Sequence, residues 1–268
     1  MGTPELSVVA RARRRMHREA LRTFTTPFVS RSDATLLVHC GHHKAGTVWI
    51  GRVMMELCRS YGLRYRTGTT RPIAADADAV FYSNAGDFQR EALTNRPFRG
   101  SHLIRDPRDL VISGYHYHLV TTESWASKPR GDYGGMSYQA YLRSLPEPEG
   151  LTAEIRWFAT ATGAEMAAWD YSQPEFLELR YEDLLSDEAA GFAALFGWWG
   201  FSESATKRGL EIAERLSLAN GGARSTHQIR MSSPGEWKER FSEAHIAEFK
   251  SQTGDLLVQL GYVADSNW

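Results

Sequence analysis

The residues of this chain that most clearly could bind or react with a ligand lie in one short turn. This turn lies between an apolar run and an amphipathic stretch. The turn reads Gly41-His42-His43-Lys44-Ala45-Gly46-Thr47. A glycine-containing turn that enters a helix directs unpaired backbone N–H groups, and the positive end of the helix dipole, at one point. Lys44 adds a full positive charge there, and Thr47 adds a hydroxyl donor. The sequence therefore predicts a cradle for a phosphate-type anion.

The order of residues in this turn separates it from the Walker A loop of ATPases. In the Walker pattern GxxxxGK[ST], the lysine directly follows the last glycine. Here Thr47 occupies that place, and Lys44 lies two residues before Gly46. We therefore expect a phosphate cradle that is not an ATPase P-loop.

A second group of anion-binding residues follows another apolar run. Arg105 ends that run, and Asp106-Pro107 is a strong helix-start signal because aspartate caps and proline suits the first turn. Arg105 would then lie at the carboxyl end of a strand, where ligands of open α/β sheets bind. Ser113 follows eight residues later, and an arginine with a hydroxyl is a good pair for a phosphate.

The elements that must position these residues alternate between strand and helix patterns. We predict strands at Ala34–Cys40, Ala79–Ser83, Ser101–Arg105 and Phe176–Arg180, and helices over 47–61, 107–119 and 242–261. Long polar loops, 121–135 and 220–235, are predicted to be functional lids or disordered. This alternation predicts an α/β fold, a three-layer sandwich with a central, mostly parallel β-sheet flanked by helices and a P-loop-like nucleotide-binding core.

Composition limits the function classes. The 268 residues include 31 Lys and Arg against 32 Asp and Glu, a net charge of −1, which argues against a nucleic-acid binder. Cys40 and Cys58 are the two cysteines, so a disulfide framework is excluded and a reducing compartment is favoured. No apolar run approaches the length of a membrane span. We expect a cytoplasmic protein with no membrane span and no nucleic-acid partner.

The chain divides into a basic N-terminal arm, residues 1–33, and one predicted domain, residues 34–268. Six arginines and one acid, Glu19, lie between Arg11 and Arg22. Organelle targeting and contact with acidic membranes or nucleic acid are alternatives for this arm. The favoured interpretation is a solvated, partly helical arm that packs on the domain.

In combination and in order, these motifs resemble the sulfotransferases that use 3′-phosphoadenosine 5′-phosphosulfate (PAPS), particularly the cytosolic and bacterial type. Lys44 to Trp49 resembles the family's KxGTTW loop for the 5′-phosphosulfate, with Val48 in place of the second threonine. The segment from Arg105 to Ser113 is similar to its 3′-phosphate motif, and Tyr181-Glu182-Asp183 to a segment whose tyrosine approaches the adenine.

A third polar segment, Arg230 to Lys238, keeps the spacing of the family's RKGxxGDWK motif. Met231 and Ser232 replace its lysine and glycine. The resemblance extends over roughly residues 34 to 262, which is nearly the whole chain. It implies that residues 34–268 form a single sulfotransferase-like domain.

The resemblance implies transfer of the sulfuryl group from PAPS to an acceptor hydroxyl or amine, with release of 3′-phosphoadenosine 5′-phosphate (PAP) and no metal. Lys44 would neutralise the bridging oxygen, and the loop with Thr47 would hold the 5′-phosphate. Arg105, Ser113 and Arg230 would bind the 3′-phosphate, and Trp49 would stack on adenine. The nucleotide-binding residues so implied are Lys44, Ala45, Gly46, Thr47, Val48, Trp49, Arg105, Ser113, Tyr181, Ser217, Arg230, Met231 and Ser232.

The general base departs from the family pattern. Cytosolic members place a catalytic histidine where this sequence has Asn84, which cannot take a proton. Asp87, His43, His102 and His116 are the titratable residues near the expected site. We favour Asp87, because it follows the strand by a few residues and could reach forward from the loop. The sequence alone leaves all four open.

The acceptor and the oligomeric state are less constrained. Tyr115, Tyr117, Trp125, Tyr133, Tyr138, Tyr141 and Trp157 lie in the segment expected to cover the acceptor, which suits an aromatic or apolar small molecule or ordinary packing. The family's dimerisation segment is altered here at Ser242, Glu243 and Ala247. The sequence therefore does not indicate that mode of dimerisation and leaves the oligomeric state open. The competing functions are a nucleotide-dependent, kinase-like enzyme and a PAP-binding protein without catalysis.

Overall fold

A central sheet of five parallel strands organises the protein. The structure, a computed structural model, describes residues 8–29, 35–68, 73, 76–93, 96–218 and 233–268. The strands are β1 (Leu36–Cys40), β2 (Tyr65–Thr67), β3 (Ala79–Tyr82), β4 (Phe98–Ile104) and β5 (Phe176–Arg180). Their spatial order is β2-β3-β1-β4-β5, and every neighbouring pair is parallel.

Helices cover both faces of this sheet. The longer ones are α1 (Val8–Phe24), α2 (Thr47–Ser60), α3 (Pro107–Val120), α4 (Tyr138–Ser144), α5 (Glu147–Thr160) and α6 (Thr162–Ala168). They continue with α7 (Tyr181–Ser186), α8 (Glu188–Trp198), α9 (Glu203–Arg215), α10 (Trp237–Arg240), α11 (Glu243–Thr253) and α12 (Leu256–Gln259). The predicted α/β class with a flanked parallel sheet is confirmed.

Strand β1 lies at the centre because its sequence is apolar enough to be buried on both faces. All five of its residues are buried. Leu37 packs in a cluster with Trp49 of α2, whereas Leu36 and Val38 pack in another cluster with Trp169. Alternate side chains of a strand point to opposite faces, so the sheet is covered on both sides. The turn after β1 is therefore fixed at the carboxyl edge of the sheet.

The sequence prediction missed β2 and shifted some boundaries. Tyr65-Arg66-Thr67 is a short edge strand with two exposed residues, and it lacks the apolar run that predicts a strand. β4 begins three residues earlier than predicted, at Phe98. The predicted closing helix is divided into α11 and α12 at Gly254, whose φ is 55°. Element boundaries depend on backbone geometry that hydrophobic periodicity does not record.

The basic arm forms helix α1 and ends against the domain. Residues 13–20 are exposed to solvent. At the end of the helix, Arg22 donates to both carboxylate oxygens of Asp78, at 2.7 and 3.1 Å. Among the described residues, none of the helices is both long enough and apolar enough to cross a membrane.

Candidate active site

The polar turn after β1 has two residues in the left-handed backbone conformation and leads directly into α2. Lys44 has a φ of 65° and Gly46 a φ of 94°, both in the left-handed region. Helix α2 then starts at Thr47, with Gly46 at its N-cap position. A left-handed conformation is rare for a residue with a side chain, so surrounding structure must hold Lys44 in it. Lys44 and the N-terminus of α2 thus share one corner.

Gly46 is required here because of both its conformation and its neighbour. A Cβ atom built on Gly46 would lie 2.9 Å from Cδ2 of Tyr181, closer than carbon atoms pack. Tyr181, the first residue of α7, is buried. The phosphate-type turn and the tyrosine that sequence analysis singled out are therefore in direct contact.

We expect Gly46→Ala to lower the free energy of unfolding by about 2 kcal/mol or more, because strain and overpacking add. Gly134→Ala is the matched control, since Gly134 also has a positive φ, 61°, but a Cβ there would meet no atom within 4 Å. Denaturant unfolding of both variants measures the two losses of stability. The control reports backbone strain alone, so the difference between the variants is the cost of overpacking against Tyr181. Equal destabilisation would show that Tyr181 does not constrain this turn.

Arg105 connects the end of β4 to the same corner. It is 3% exposed, and its Nη1 donates to the backbone oxygen of Lys44 at 3.3 Å. Its guanidinium lies 4.7 Å from the centre of the Tyr181 ring. Asp106 then caps α3 by accepting a hydrogen bond from the backbone N–H of Arg108 at 2.9 Å. The predicted helix start after Arg105 is confirmed, and it fixes Ser113 on α3.

A cavity of about 430 Å³ opens above these groups. Of the predicted nucleotide-binding residues, those on its walls are Lys44, Gly46, Thr47, Val48, Trp49, Arg105, Ser113 and Tyr181. Ala45 and Ser217 are buried and do not line the cavity, although Leu218, next to Ser217, does. Residues from the turn after β1, from the position after β4, and from α2, α3 and α7 therefore converge on one space.

Trp49 is also part of the hydrophobic core. It is 1% exposed and makes edge-to-face contacts with Phe192, at 5.3 Å, and Tyr181, at 6.5 Å, between ring centres. Its Nε1 is buried and has no hydrogen-bond partner in the described part of the chain. Stacking of Trp49 on adenine stays a prediction.

The surroundings of Lys44 lower the pKa of its ammonium group. Burial, reinforced by the positive charge of Arg105, lowers the pKa of Lys44 to about 8, while Glu123 acts in the opposite direction. The ammonium group lies 4.2 Å from the centre of the Tyr117 ring. Lys44 is thus charged at neutral pH, in a site that favours the arrival of an anion.

The base that the sequence favours, Asp87, is not among the residues that line the cavity. Ala85–Asp87 forms a 3-10 turn in which the Asp87 N–H donates to the Asn84 oxygen at 3.1 Å. The charge of Asp87 adds to the effect of burial, which raises the pKa of the Tyr82 hydroxyl to about 12. The tight turn brings Asn84, and not Asp87, to the cavity wall.

Among the histidines considered, His43 lines the cavity and His102 and His116 do not. Burial lowers the pKa of His43 to about 3, and His118 and Lys44 add to that effect. His43 stacks on His118 with the ring centres 5.3 Å apart. A group of such low basicity is a poor proton acceptor at neutral pH.

Two carboxylates that sequence analysis overlooked line the cavity, Glu123 and Glu165. Glu165 lies on α6 and accepts a hydrogen bond from Nδ2 of Asn84 at 3.2 Å. It is 81 residues from Asn84 in sequence. No motif surrounds it, so no signal in the sequence identifies it.

The remaining predicted residues, Arg230, Met231 and Ser232, lie outside the described residues. After them, the chain is tied to α3 by the buried carboxylate of Asp109. It accepts from the backbone N–H of Gly235 at 2.7 Å and of Trp237 at 3.1 Å. Within the described ranges, no group of three or more His, Cys, Asp or Glu side chains could hold a metal ion.

The sequence matches no protein-family model and no curated protein sequence. Two solved structures are similar in fold. One is a mouse sulfotransferase, SULT7A1, complexed with PAP: TM-score 0.54, 14% identity, covering 90% of this chain and 87% of that one. The other is retinol dehydratase in complex with androsterone and the inactive cofactor PAP: TM-score 0.50, 15% identity, covering 91% and 85%.

The chain has the sulfotransferase fold. At 14–15% identity the likeness concerns architecture, and residue roles must be argued from the geometry of this chain. The sulfotransferase fold extends over most of the chain, in agreement with the resemblance that the motifs indicated. The cavity lies at the carboxyl edge of its sheet, where open α/β sheets bind ligands.

Proposed function

We propose that the protein transfers the sulfuryl group of PAPS to a hydroxyl, or an amine, of a small-molecule acceptor and releases PAP. The observation that carries this proposal is the convergence of two anion-binding groups in one cavity. One group is Lys44 with the N-terminus of α2, and the other is Arg105 with Ser113. PAPS has two separate anionic groups, at its 5′ and 3′ positions, and two such sites suit it.

The residues present fit this nucleotide. The N-terminus of α2 presents backbone N–H groups and the positive end of a 14-residue helix. Gly46 lets the turn pass directly against the Tyr181 ring, where a Cβ would lie 2.9 Å from Cδ2. Arg105 is buried on the cavity wall, and an arginine in such a place binds a phosphate through charge-assisted hydrogen bonds. Donors and charges thus match the groups that PAPS presents.

The chemistry asked of the protein is chiefly positioning and stabilisation of charge on oxygens, as in phosphoryl transfer. The acceptor oxygen forms a bond to sulfur while the bond from sulfur to the 5′-phosphate oxygen breaks. Lys44 stabilises the negative charge that develops on that departing oxygen. Arg105 and Ser113 hold the nucleotide by its 3′-phosphate so that the sulfuryl group is aligned with the acceptor.

The acceptor side of the cavity is aromatic. Tyr117, Trp125 and Trp157 line it, and the two indoles stack with their ring centres 5.9 Å apart and their planes at 15°. Such walls suit a flat or apolar small molecule that carries the reacting hydroxyl. In the solved structure of retinol dehydratase, androsterone is bound together with PAP.

We expect Arg105→Ala to weaken PAP binding by roughly 10- to 100-fold, the size of a lost hydrogen bond to a charged group. Binding of adenosine 5′-phosphate should change little, because it lacks the 3′-phosphate that Arg105 would hold. Calorimetric titration of both nucleotides, without metal, measures the two losses. Arg208→Ala, which alters an exposed ion pair with Glu211, is the control arginine.

Two results would contradict the proposed function. If Arg105→Ala lowered the affinity for PAP and for adenosine 5′-phosphate equally, Arg105 would not recognise a 3′-phosphate. Tight binding of ADP with Mg²⁺ and weak binding of PAP by the unmodified protein would favour the kinase-like alternative. PAP binding without turnover of PAPS on any phenol, alcohol or amine would favour a binding protein.

A further inference from the structure

A row of four side chains, two histidines between two carboxylates, runs from the cavity wall along the sheet. Oε2 of Glu165 lies 3.6 Å from Nδ1 of His42. Nε2 of His42 lies 2.9 Å from Nε2 of His102, and Nδ1 of His102 lies 2.6 Å from Oε2 of Glu178. Both histidines are fully buried. Trp169 completes the row by donating its indole N–H to Oε1 of Glu178 at 3.0 Å.

Glu165 is held in place from the cavity side as well. Asn84 donates to its Oε1. A Cβ on Gly86 would lie 3.0 to 3.1 Å from Cγ, Cδ and Oε1 of Glu165, so a glycine there leaves just the room that this side chain occupies. The carboxylate therefore has a defined position at the cavity, with 26% of its side chain exposed.

The proton pattern in the row follows from its contacts. Burial lowers the pKa of His102 well below its usual value, so its ring is neutral. When Glu178 is ionised, His102 donates its Nδ1–H to it, and the bare Nε2 of His102 accepts the Nε2–H of His42. In that state Nδ1 of His42 presents a lone pair to Oε2 of Glu165. Burial raises the pKa of Glu178 to about 7. When Glu178 holds its proton, the hydrogen bonds of the row run the other way, and Nδ1–H of His42 faces Oε2 of Glu165.

The contact between His42 and Glu165 is unsatisfied. In the described part of the chain, Nδ1 of His42 and Oε2 of Glu165 are both buried and neither has a hydrogen-bond partner. A buried polar atom without a partner is costly, and one proton between these two atoms would satisfy both. The row therefore has a place for a proton beside Glu165.

We propose that Glu165 is the general base of the proposed transfer, positioned by Asn84 and supported by His42, His102 and Glu178. The inference rests on the proposed function. As the acceptor oxygen bonds to sulfur, its O–H bond breaks and the proton passes to the Glu165 carboxylate. The sulfur–oxygen bond to the 5′-phosphate breaks at the same time, and PAP leaves with that electron pair.

The other titratable residues of the cavity are less suited to this role. His43 is a weak base, because burial lowers its pKa to about 3. Glu123 accepts the indole N–H of Trp125 at 2.6 Å and supports the charge of Lys44. In the family that the sequence resembles, a histidine at the position of Asn84 is the base. Here we assign that role to Glu165, which lies on α6, and Asn84 positions Glu165 through a hydrogen bond.

The test compares acceptors that need a base with one that does not. Phenol is un-ionised at neutral to mildly alkaline pH, whereas 4-nitrophenol is largely ionised. We expect Glu165→Gln to slow transfer to phenol by roughly 100-fold or more, and transfer to 4-nitrophenol by less than about threefold. Slow hydrolysis of PAPS without any acceptor should also fall by roughly 100-fold, because water needs a base as well.

Asp87→Asn is the contrasting variant, because the sequence alone favours that carboxylate. We expect it to transfer to both phenols as the unmodified protein does. His42→Gln tests the row, because it removes the imidazole that faces Oε2 of Glu165. We expect it to slow transfer to phenol by roughly tenfold, the size of one lost hydrogen bond, and to leave transfer to 4-nitrophenol unchanged. A role limited to folding would slow both acceptors alike.

The failures can be told apart. If the unmodified protein and Glu165→Gln bind PAP equally and transfer to phenol or hydrolyse PAPS at equal rates, Glu165 is not the base. A loss that is equal for phenol and 4-nitrophenol also overturns the proposal. If the unmodified protein does not bind PAP at all, the proposed function fails and takes this inference with it.

Discussion

Lys44→Met is expected to reduce kcat for sulfuryl transfer by roughly 10³-fold or more. A charged side chain that stabilises developing charge in phosphoryl transfer is worth about 10³ to 10⁵ in kcat, and sulfuryl transfer makes a similar demand. Lys44 lies on the cavity wall, and Arg105 donates to its backbone oxygen. Methionine keeps a long apolar side chain, which limits the change to loss of the charge.

The pH dependence of the proposed activity tests the same role. Because the pKa of Lys44 is lowered to about 8, the unliganded protein loses this positive charge as the pH rises above that value. Since kcat/KM reports ionisations of the unliganded protein, it should fall above about pH 8, with loss of one proton. In Lys44→Met the alkaline fall should disappear.

Two variants serve as controls for Lys44. Lys44→Arg keeps the charge in a different shape, and we expect it to retain more activity than Lys44→Met. Lys128→Met removes an exposed lysine and should have no effect. If Lys44→Met lost less than about tenfold in kcat, charge stabilisation by Lys44 would not be a main source of catalysis.

The second large effect that we expect is loss of stability in mild acid. Burial lowers the pKa of His39 and of His43 to about 3, and that of His102 well below its usual value. The unfolded chain binds protons on these histidines near pH 6.5. Below that pH the unfolded state therefore binds more protons than the folded state, and the free energy of unfolding falls as the pH falls.

Glu178 opposes this trend. Burial raises its pKa to about 7, so between about pH 4.5 and 7 the folded state holds a proton that the unfolded state has lost. The contribution of Glu178 to stability falls as the pH rises. Three histidines against this carboxylate leave a net fall of about 2 to 3 kcal/mol per pH unit on acidification below about pH 6.

Denaturant unfolding at a series of pH values measures this slope. A domain with ordinary stability of about 5 to 15 kcal/mol would then unfold well before its carboxylates are protonated in full. His39→Leu should reduce the slope by about 1.4 kcal/mol per pH unit, because one proton is removed from the difference. His17→Gln, at an exposed position of α1, should leave it unchanged. A stability that is constant from pH 7 to 4.5 would mean that the buried histidines are protonated in the folded protein.

Much of the cavity wall to which we assign the nucleotide could be predicted from the sequence, because each of its residues sits at a fixed place relative to its own strand. Lys44 and Gly46 follow β1 directly, and Arg105 follows β4. Parallel strands of one sheet end at the same edge, so residues that follow neighbouring strands must meet. Local signals were sufficient for this, including the Asp106-Pro107 start of α3.

The part of the cavity that we propose accepts the proton was decided by the tertiary structure alone. Glu165, on α6, meets Asn84, which follows β3, and His42, which follows β1, through packing between elements that are far apart in sequence. The same packing buries His102 against Glu178 and carries Asp87 away from the cavity wall. Strand order and hydrophobic periodicity determine where the chain turns. Side-chain neighbours across layers, and the burial that sets their protonation, exist only when those layers are assembled.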